Sequence, residues 1–425
     1  TGELLATASH RTTLDTDVLD GYDACRAALI EQDPRAAEAE VLACSSAAGG
    51  LRIAVLGNEE LVTAEAGRRV ALSSGGKVAG VLGAPADLST LMAADPDVVL
   101  LTGGTDGGNV EAVVEAARAL VVCGWRGPVV VAGNVEARGE VARILADVPH
   151  ILADNVVPRI GVLAPESARR AIRNMFLAHV IGGKHLSSRA DFTRMVRGAT
   201  PDVVLTGVEV LSRVAGDVVV VDVGGATTDV HSAVGLDSGD DGLSRDVVAS
   251  TPLTRTVEGD LGMRWSAVST TTEAIQAGLA DDSLIEPARR RQADPAYLPD
   301  STAECGVDEN LATAAVVLAV RRHAGRSQVV VGPDGRVVER SGKDLREVGL
   351  LVGSGGVLRV SEPATAKRIL GAATGPTPEG WQQPEHPGVV VDRDYVLAAV
   401  GLLADQYPRA AERLAAHILG PDQPA

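Results

Sequence analysis

The segment that most constrains this 425-residue chain runs from Val218 to Val230 and reads VVVVDVGGATTDV. A run of β-branched residues ends at Asp222, two glycines follow, and apolar and polar residues alternate again after Thr227. β-Branched residues favour strands, and adjacent glycines favour a tight reversal of the chain. The pattern therefore predicts a buried strand, a glycine turn and a returning strand.

The predicted turn carries the chemical groups of a phosphate site with a hydrated metal ion. Backbone N–H groups and hydroxyls suit anionic oxygens, whereas carboxylates hold Mg²⁺, usually through water. The phosphate-binding candidates are Gly224, Gly225, Thr227 and Thr228, and the metal-binding and catalytic candidates are Asp222 and Asp229. An ordinary glycine turn is the alternative, but an aspartate that ends a buried strand is costly without a partner.

Two further glycine-rich segments follow predicted buried strands. The first is Gly353-Ser354-Gly355-Gly356, where the lack of side chains would let a base or ribose approach the backbone. In isolation this is equally well a strand-to-helix turn, but beside the hairpin it favours a nucleotide site. The second runs from Gly103 to Gly108 and could form another lip of a cleft. Its nucleotide-binding candidates are Gly103, Gly104 and Thr105, although a turn capped by Thr105 or Asp106 explains the pattern as well.

Composition excludes several classes of protein. The net charge of −17 argues against broad nucleic-acid binding, and the four cysteines lie far apart without a C-x-x-C pair. No Walker P-loop, H-E-x-x-H or G-x-S-x-G motif occurs. No signal-peptide pattern and no apolar run of bilayer-spanning length is present, so we expect a cytoplasmic protein without membrane contact.

The order of predicted elements indicates an α/β fold. Strands and helices alternate through the first third of the chain, which is typical of a mostly parallel sheet with covering helices. Alternation predicts a strand from Gly2 to Ala8, and helical periodicity predicts helices from Val18 to Glu31 and from Asp392 to Leu403. The weak similarity of residues 98–104 and 349–356 suggests two related α/β domains.

With these motifs in place, the chain resembles a known group. DVGGATTDVHS at 222–232 is similar to the second phosphate motif of the actin, sugar-kinase and heat-shock ATPase superfamily. More narrowly, the chain resembles the glutamate mutase L protein family (MutL/GlmL type). The matching stretches span nearly the whole chain and are 43–52 (ACSSAAGGLR), 100–109 (LLTGGTDGGN), 155–160 (NVVPRI), 255–264 (RTVEGDLGMR), 342–345 (GKDL) and 395–404 (YVLAAVGLLA).

This resemblance implies two ribonuclease-H-like (actin-like ATPase) domains around a nucleotide cleft. The expected divisions are a first α/β domain at 1–165, a connecting helical segment at 166–214, a second α/β domain at 215–390 with a helical insertion at about 266–323, and C-terminal hinge and packing helices at 391–425. Family members begin with a strand, a D-x-G-S-T-type phosphate loop and a second strand. This chain starts at the turn that follows, so we expect its first domain to lack those strands and that loop.

The resemblance also implies roles for residues. Asp222 and Asp229 would lie at the metal and the attacking water, the hairpin glycines and threonines would bind phosphate, and Gly353, Gly355 and Gly356 would face adenosine. The cofactors would be ATP and Mg²⁺, and the partners subunits of an adenosylcobalamin-dependent mutase. The leading hypothesis is therefore an ATP-binding, reactivating or chaperone-like accessory protein. A kinase-like or hydantoinase/oxoprolinase-like enzyme and a non-hydrolysing nucleotide-binding scaffold are the alternatives.

Overall fold

The computed structural model describes residues 1–13, 15–46, 51–57, 63–74, 76–83, 88–181, 186–235, 251–332 and 335–420, and for 328–332 and 335–341 only the backbone. Residues 47–50 of the first family-like stretch lie outside this part. The chain forms two compact units. Unit 1 holds the described residues within 1–206 and 401–410, and unit 2 holds those within 207–400 and 411–420.

The helices and strands of the first half of the chain alternate. In chain order they are α1 (Val18–Gln32), β1 (Ala43–Ser45), β2 (Leu51–Gly57), α2 (Glu65–Ser73), β3 (Gly76–Gly83), α3 (Ser89–Ala93), β4 (Val98–Leu101), α4 (Glu111–Val122), β5 (Val129–Val131), α5 (Arg138–Ile144), β6 (His150–Leu152), α6 (Glu166–Met175), α7 (Ala190–Met195), β7 (Val196–Ala199) and α8 (Thr200–Ala215). The boundary between the units falls inside α8.

Unit 1 is built on a five-stranded sheet in the order β3-β2-β4-β5-β6, in which all neighbours are parallel. The side chains of β2 and β4 alternate between two apolar clusters: Ile53 and Leu100 face one, and Ala54 and Leu101 face the other. A parallel sheet is buried on both faces in this way because its helical crossovers cover both sides. A separate pair of short parallel strands, β1 and β7, completes the unit.

The second half of the chain contains the longest described helix, α11, and two sheets. Its elements are β8 (Val218–Val223), β9 (Thr228–Ala233), β10 (Leu253–Glu258), α9 (Ala267–Gln276), α10 (Ile285–Ala293), α11 (Thr302–His323), β11 (Arg326–Gly332), β12 (Gly335–Ser341), β13 (Leu350–Ser354), α12 (Gly356–Val360), α13 (Pro363–Gly371), β14 (Gly388–Val391), α14 (Leu397–Leu403) and α15 (Pro408–Leu419). Three helices, α9 to α11, thus lie between β10 and β11.

The main sheet of unit 2 has the order β10-β9-β8-β13-β14. The pairs β10–β9 and β9–β8 are antiparallel, and the pairs β8–β13 and β13–β14 are parallel. When the strands of this sheet alone are numbered in chain order, without β11 and β12, the order is 3-2-1-4-5, as in ribonuclease-H-like domains. Val219, Val221 and Val223 of β8 pack one sheet face against the helices, including Leu311 and Ala315 of α11. The α/β fold that the sequence indicates is confirmed.

Individual elements show where periodicity misleads. The helix predicted from Val18 is confirmed by α1. The strand predicted from Gly2 to Ala8 is wrong, because residues 2–8 pair with no described strand and an alternating pattern needs such a partner. The last predicted helix begins at Leu397 and not at Asp392. No helix within the described ranges is both long and apolar enough to cross a membrane.

Candidate functional site

The glycine turn of unit 2 places two carboxylates side by side. Strands β8 and β9 are antiparallel, and Asp222 lies directly opposite Asp229. Directly opposed residues project from the same face of a sheet. The turn between them is closed by the Gly224 N–H, which donates to the Thr227 carbonyl at 2.9 Å. The hairpin predicted from the sequence is therefore present, with both of its aspartates on one face.

Residues 261–264 hydrogen-bond to the hairpin turn. The N–H groups of Met263 and Arg264 donate to the carbonyls of Gly224 and Gly225 at 3.0 and 2.8 Å. The hydroxyl of Thr228, which is fully buried, donates to the Leu261 carbonyl at 2.9 Å. The proton of this hydroxyl is thus used inside the protein, and the turn is fixed from 261 to 264.

Trp265 lies on the turn with most of its indole ring in solvent. Its side chain is 62% exposed, whereas Trp125 is only 7% exposed. A Cβ atom at Gly225 would come within 2.6 Å of Trp265 Cζ3, so only glycine allows this contact. An exposed tryptophan thus reports directly on the environment of the predicted phosphate turn.

Asp229 is held in an ion pair. Arg255 of β10 donates from Nε and Nη2 to Asp229 Oδ1 at 3.0 and 2.6 Å, and the Thr227 hydroxyl donates to Oδ2 at 3.1 Å. The side chains are only 5% and 17% exposed, respectively, for Arg255 and Asp229. Both oxygens of Asp229 therefore have protein partners. The opposite charges could not be matched from sequence, because their contact depends on the register of β9 and β10.

Asp222, unlike Asp229, has no ion-pair partner in the described part of the chain. It is half-buried, and no residue in the described part of the chain hydrogen-bonds to its carboxylate. The pKa of Asp222 is raised to about 7, first by burial and then by the negative charges of Asp229 and Asp392, while Arg255 acts in the opposite direction. A carboxyl group that is strongly perturbed and lacks a partner marks a candidate functional site.

The second glycine segment contacts the first. Ser354, the last residue of β13, lies beside Asp222 in the parallel register. Gly355 has a φ of +96°, and a Cβ there would lie 2.2 Å from the Val223 carbonyl oxygen and 2.9 Å from Asp222 Oδ1. Gly353 packs against two leucine side chains, and Gly356 begins α12 with open space around it. The structure therefore brings residues 353–356 together with the hairpin.

A third acidic group, Asp392, was missed as a site residue. It follows β14, and its carboxylate accepts the N–H groups of Val396 and Leu397 at 2.9 and 3.0 Å at the start of α14. Burial raises the pKa of Asp392, although these two hydrogen bonds act against the shift. The sequence did contain a signal for this residue, because Asp392 follows an apolar strand just as Asp222 follows the valines of β8.

A cavity of about 510 Å³ lies beside Asp392 in unit 2. Its lining residues are Val391, Asp392, Arg393, Asp394, Ala416, His417, Ile418 and Gly420. Next to the lining residues Arg393 and Asp394, the Arg359 guanidinium stacks 4.7 Å from the centre of the Tyr395 ring. Tyr395 has a φ of +58°. A bulky residue in this left-handed region is strained, and such strain concentrates at functional sites.

Other polar residues near the hairpin have structural roles. Arg322 forms ion pairs with Glu258, Asp260 and Glu273 at 2.9, 2.8 and 2.8 Å, so all three carboxylates have a partner within unit 2. His231 is buried, and its Nδ1 atom has no partner. Burial, and secondarily the charge of Arg255, lowers the pKa of His231 well below its usual value.

The residues Gly103, Gly104 and Thr105 lie in unit 1, directly after β4. Gly104 has a φ of +65°, and a Cβ there would lie 2.1 Å from the Asn109 carbonyl. Two buried asparagines that follow β5 and β6 hold this loop: Asn134 donates to the Thr105 carbonyl and Asn155 to that of Gly104. The sequence prediction missed both, since their role depends on strand order.

The described residues contain no group of three His, Cys, Asp or Glu side chains arranged to hold a metal ion. Magnesium bound with a nucleotide needs fewer protein ligands, because phosphates and water complete its shell. One partner-free carboxylate, Asp222, fits that requirement, while Asp229 is already paired.

Comparison with known proteins gives a consistent family. A family model described as "MutL protein" matches residues 1–419. The curated protein "Protein MutL" from Clostridium tetanomorphum is 35% identical over 431 residues, covering 97% of this chain and 93% of that protein.

Solved structures are more distant. A nucleotide-free structure of acetone carboxylase, from work on ATP-dependent acetone carboxylation, matches 93% of this chain and 66% of its own with a TM-score of 0.38 and 14% identity. An ROK hexokinase from Thermus thermophilus matches 74% of this chain and 87% of its own, with a TM-score of 0.23 and 15% identity. Both scores are low, so the sheet order alone carries the description of the fold.

Proposed function

Because the chain belongs to the MutL protein family, we propose that it is an ATP-binding accessory protein of an adenosylcobalamin-dependent mutase such as glutamate mutase, with a reactivating or chaperone-like role. The observation that carries the nucleotide part is the half-buried, partner-free carboxylate of Asp222 beside two glycine turns. The mutase partner rests on the family resemblance alone.

In this proposal, Asp222 holds Mg²⁺ through water. A Mg²⁺ ion supplies positive charge that neutralises the phosphate chain of the nucleotide. The N–H groups of Gly225 and Ala226 are the groups in the turn that would bind phosphate oxygens. The Thr227 hydroxyl could join them only by giving up its hydrogen bond to Asp229. A metal ion would also relieve the repulsion between Asp222 and Asp229 that contributes to the raised pKa of Asp222.

The adenosine would lie against Gly353, Gly355 and Gly356, and the 510 Å³ cavity beside Asp392 offers room for it. Pockets for small ligands start at about 300 Å³. The stacked pair of Arg359 and Tyr395 presents a flat surface nearby.

Binding without hydrolysis is the second candidate, and one observation favours it. A residue that activates water must accept a hydrogen bond from it, and the Asp229 carboxylate already accepts three from Arg255 and Thr227, which leaves one acceptor position on Oδ2. Activation of water by Asp229 Oδ1 would require the ion pair with Arg255 to open. If the ion pair stays closed, Asp222, whose pKa is about 7, is the better candidate for the base that activates water.

Intrinsic fluorescence tests nucleotide binding, because Trp265 lies on the phosphate turn. We expect Mg-ADP to change the emission of the full chain, and Trp265→Phe to remove most of that change while binding persists by calorimetry. Trp125→Phe is the matched control, since this buried tryptophan lies in unit 1. An emission change that survives Trp265→Phe would contradict binding at the turn.

Turnover separates the remaining hypotheses. Phosphate release is measured with Mg-ATP alone, with small amides or sugars, and with an inactivated adenosylcobalamin-dependent mutase. Release stimulated by the mutase supports the accessory role, and release coupled to a small substrate supports a metabolic enzyme. Binding with no release in any arm supports a scaffold.

A further inference from the structure

We propose that unit 1 holds a second ligand site, a basic cavity that binds a small dianion through its oxygen atoms. The cavity measures about 320 Å³. Its lining residues are Leu42, Arg170, Arg173, Asn174, Arg197, Val203, Thr206, Gly401, Leu402, Asp405 and Gln406. All of them belong to unit 1, so this inference does not depend on nucleotide binding in unit 2.

The charge of the cavity is opposite to that of the protein. Three arginines line it, Arg170, Arg173 and Arg197, while the chain as a whole carries −17. The one carboxylate in the lining, Asp405, is 84% exposed and lies 3.8 Å from Arg173. A concave surface with one sign of charge concentrates ions of the other sign, so the cavity attracts anions.

Arg173 is held in a fixed position. Its Nε donates to Asp202 Oδ2 at 2.6 Å, and the Asp202 side chain is only 2% exposed. Asp202 also accepts from Arg169 Nη2 at 3.2 Å. Two guanidinium groups therefore share one buried carboxylate, and the solvent-exposed Asp405, 3.8 Å from Arg173, offsets their second positive charge only in part.

The other two arginines keep N–H groups available. Arg170 hydrogen-bonds to no residue within the described ranges. Arg197 donates from Nη1 to the Arg194 carbonyl at 2.7 Å, and its Nη2 is 3.9 Å from Glu40 Oε1. This separation exceeds hydrogen-bonding distance and both side chains are largely solvent-exposed, so Glu40 attracts Arg197 only weakly.

The lining selects a small, doubly charged ligand. The planar guanidinium fork matches phosphate and carboxylate oxygens in a two-point contact. Neutral donors and acceptors come from the amides of Asn174 and Gln406, and the volume lies at the low end for small-molecule pockets. A phosphoryl group and a short dicarboxylate share this chemistry.

Titration calorimetry of the full chain with inorganic phosphate and, separately, with succinate tests this site. We expect one of the two anions to bind at about 1 mM or tighter, and the anion that binds identifies the group. Saturating Mg-ADP is included in a parallel titration. In that titration we expect the anion to bind the cavity as before, whether or not the nucleotide binds to unit 2.

Single variants locate the binding. Arg170→Gln and Arg197→Gln should each weaken it by about tenfold, the loss expected for one charged hydrogen-bonding group. Arg143→Gln removes the same charge from an exposed position of α5 outside the cavity and should leave affinity unchanged. Absence of binding up to about 10 mM for both anions, or an equal loss in the Arg143 variant, would overturn the proposal.

Discussion

At the scale of single residues, the two aspartates that lie opposite each other in the hairpin have different environments. Asp229 is neutralised by Arg255, while Asp222, its neighbour across the hairpin, has no partner and a pKa of about 7. Two neighbouring carboxyl groups in such different surroundings can divide the roles of a site between them. We infer that the Arg255 pair fixes the hairpin and that Asp222 is the group kept for a ligand.

Asp222 should make the protein less stable as the pH rises. Its pKa is about 7 in the folded chain and about 4 when unfolded, so the folded state retains the proton in between. The linkage relation then gives a free energy of unfolding that falls between about pH 4 and pH 7 by roughly 1–3 kcal/mol from this group. Asp222→Asn removes this contribution, which urea unfolding at pH 5 and pH 8 measures.

For that comparison, Asp282→Asn is the control at an exposed position of unit 2. If the Asp222 variant lost stability from pH 5 to pH 8 as steeply as the wild type, the raised pKa would be ruled out as the cause. Added Mg-ADP should restore stability to the wild type at pH 8, because ligand binds only the folded state.

The Arg255–Asp229 pair should be strongly coupled. Arg255→Met leaves a largely buried carboxylate without its cation, which costs about 2–4 kcal/mol of the free energy of unfolding. The double variant Arg255→Met/Asp229→Asn removes both charges and should recover at least half of that loss. Urea denaturation of the single and double variants measures the coupling, and a double variant as unstable as Arg255→Met would contradict it.

At the scale of elements, the unit 2 site arises where three strands end together. The carboxyl ends of β8, β13 and β14 carry Asp222, Gly355 and Asp392, since these strands are parallel neighbours. Strand β10, which is antiparallel to β9, adds Arg255 beside Asp229. Local sequence patterns identify each strand end, but only the strand order brings them together.

Gly355, at the end of β13, has little freedom to change. Gly355→Ala would place a methyl group against the Val223 carbonyl at a left-handed φ, and we expect a loss of about 2–4 kcal/mol in stability. Gly356→Ala is the adjacent control, because nothing lies within 4 Å of its Cβ position. Thermal unfolding of both variants checks this, and equal melting temperatures would contradict it.

The hairpin was predictable from sequence because its information is local. A β-branched run, two glycines and Asp222 specify a strand and a turn without reference to the rest of the chain. The ion pair of Asp229 with Arg255, the caps made by Asp392 and the support from Asn155 were not predictable in this way. Each depends on strand register or strand order, which periodicity does not contain.

At the scale of the whole molecule, each unit has its own core and its own candidate site. Unit 1 buries both faces of a parallel sheet and carries the basic cavity, while unit 2 carries the acidic hairpin. The alternation of strands and helices indicated the α/β class correctly, because each strand of a parallel sheet requires a crossover. The aromatic content of 2% did not prevent two complete cores, since Val, Leu and Ala fill them.

Titration calorimetry of the full chain with Mg-ATP, for the wild type and Asp222→Asn, is the most direct test of the central claim. The account predicts one site per chain, binding that requires Mg²⁺ and an affinity at pH 8 that falls at least about tenfold in the variant. Affinity should also fall in the wild type below about pH 7, as Asp222 takes up its proton. A folded wild-type protein that gives no heat with Mg-ATP and no rise in melting temperature would contradict the account.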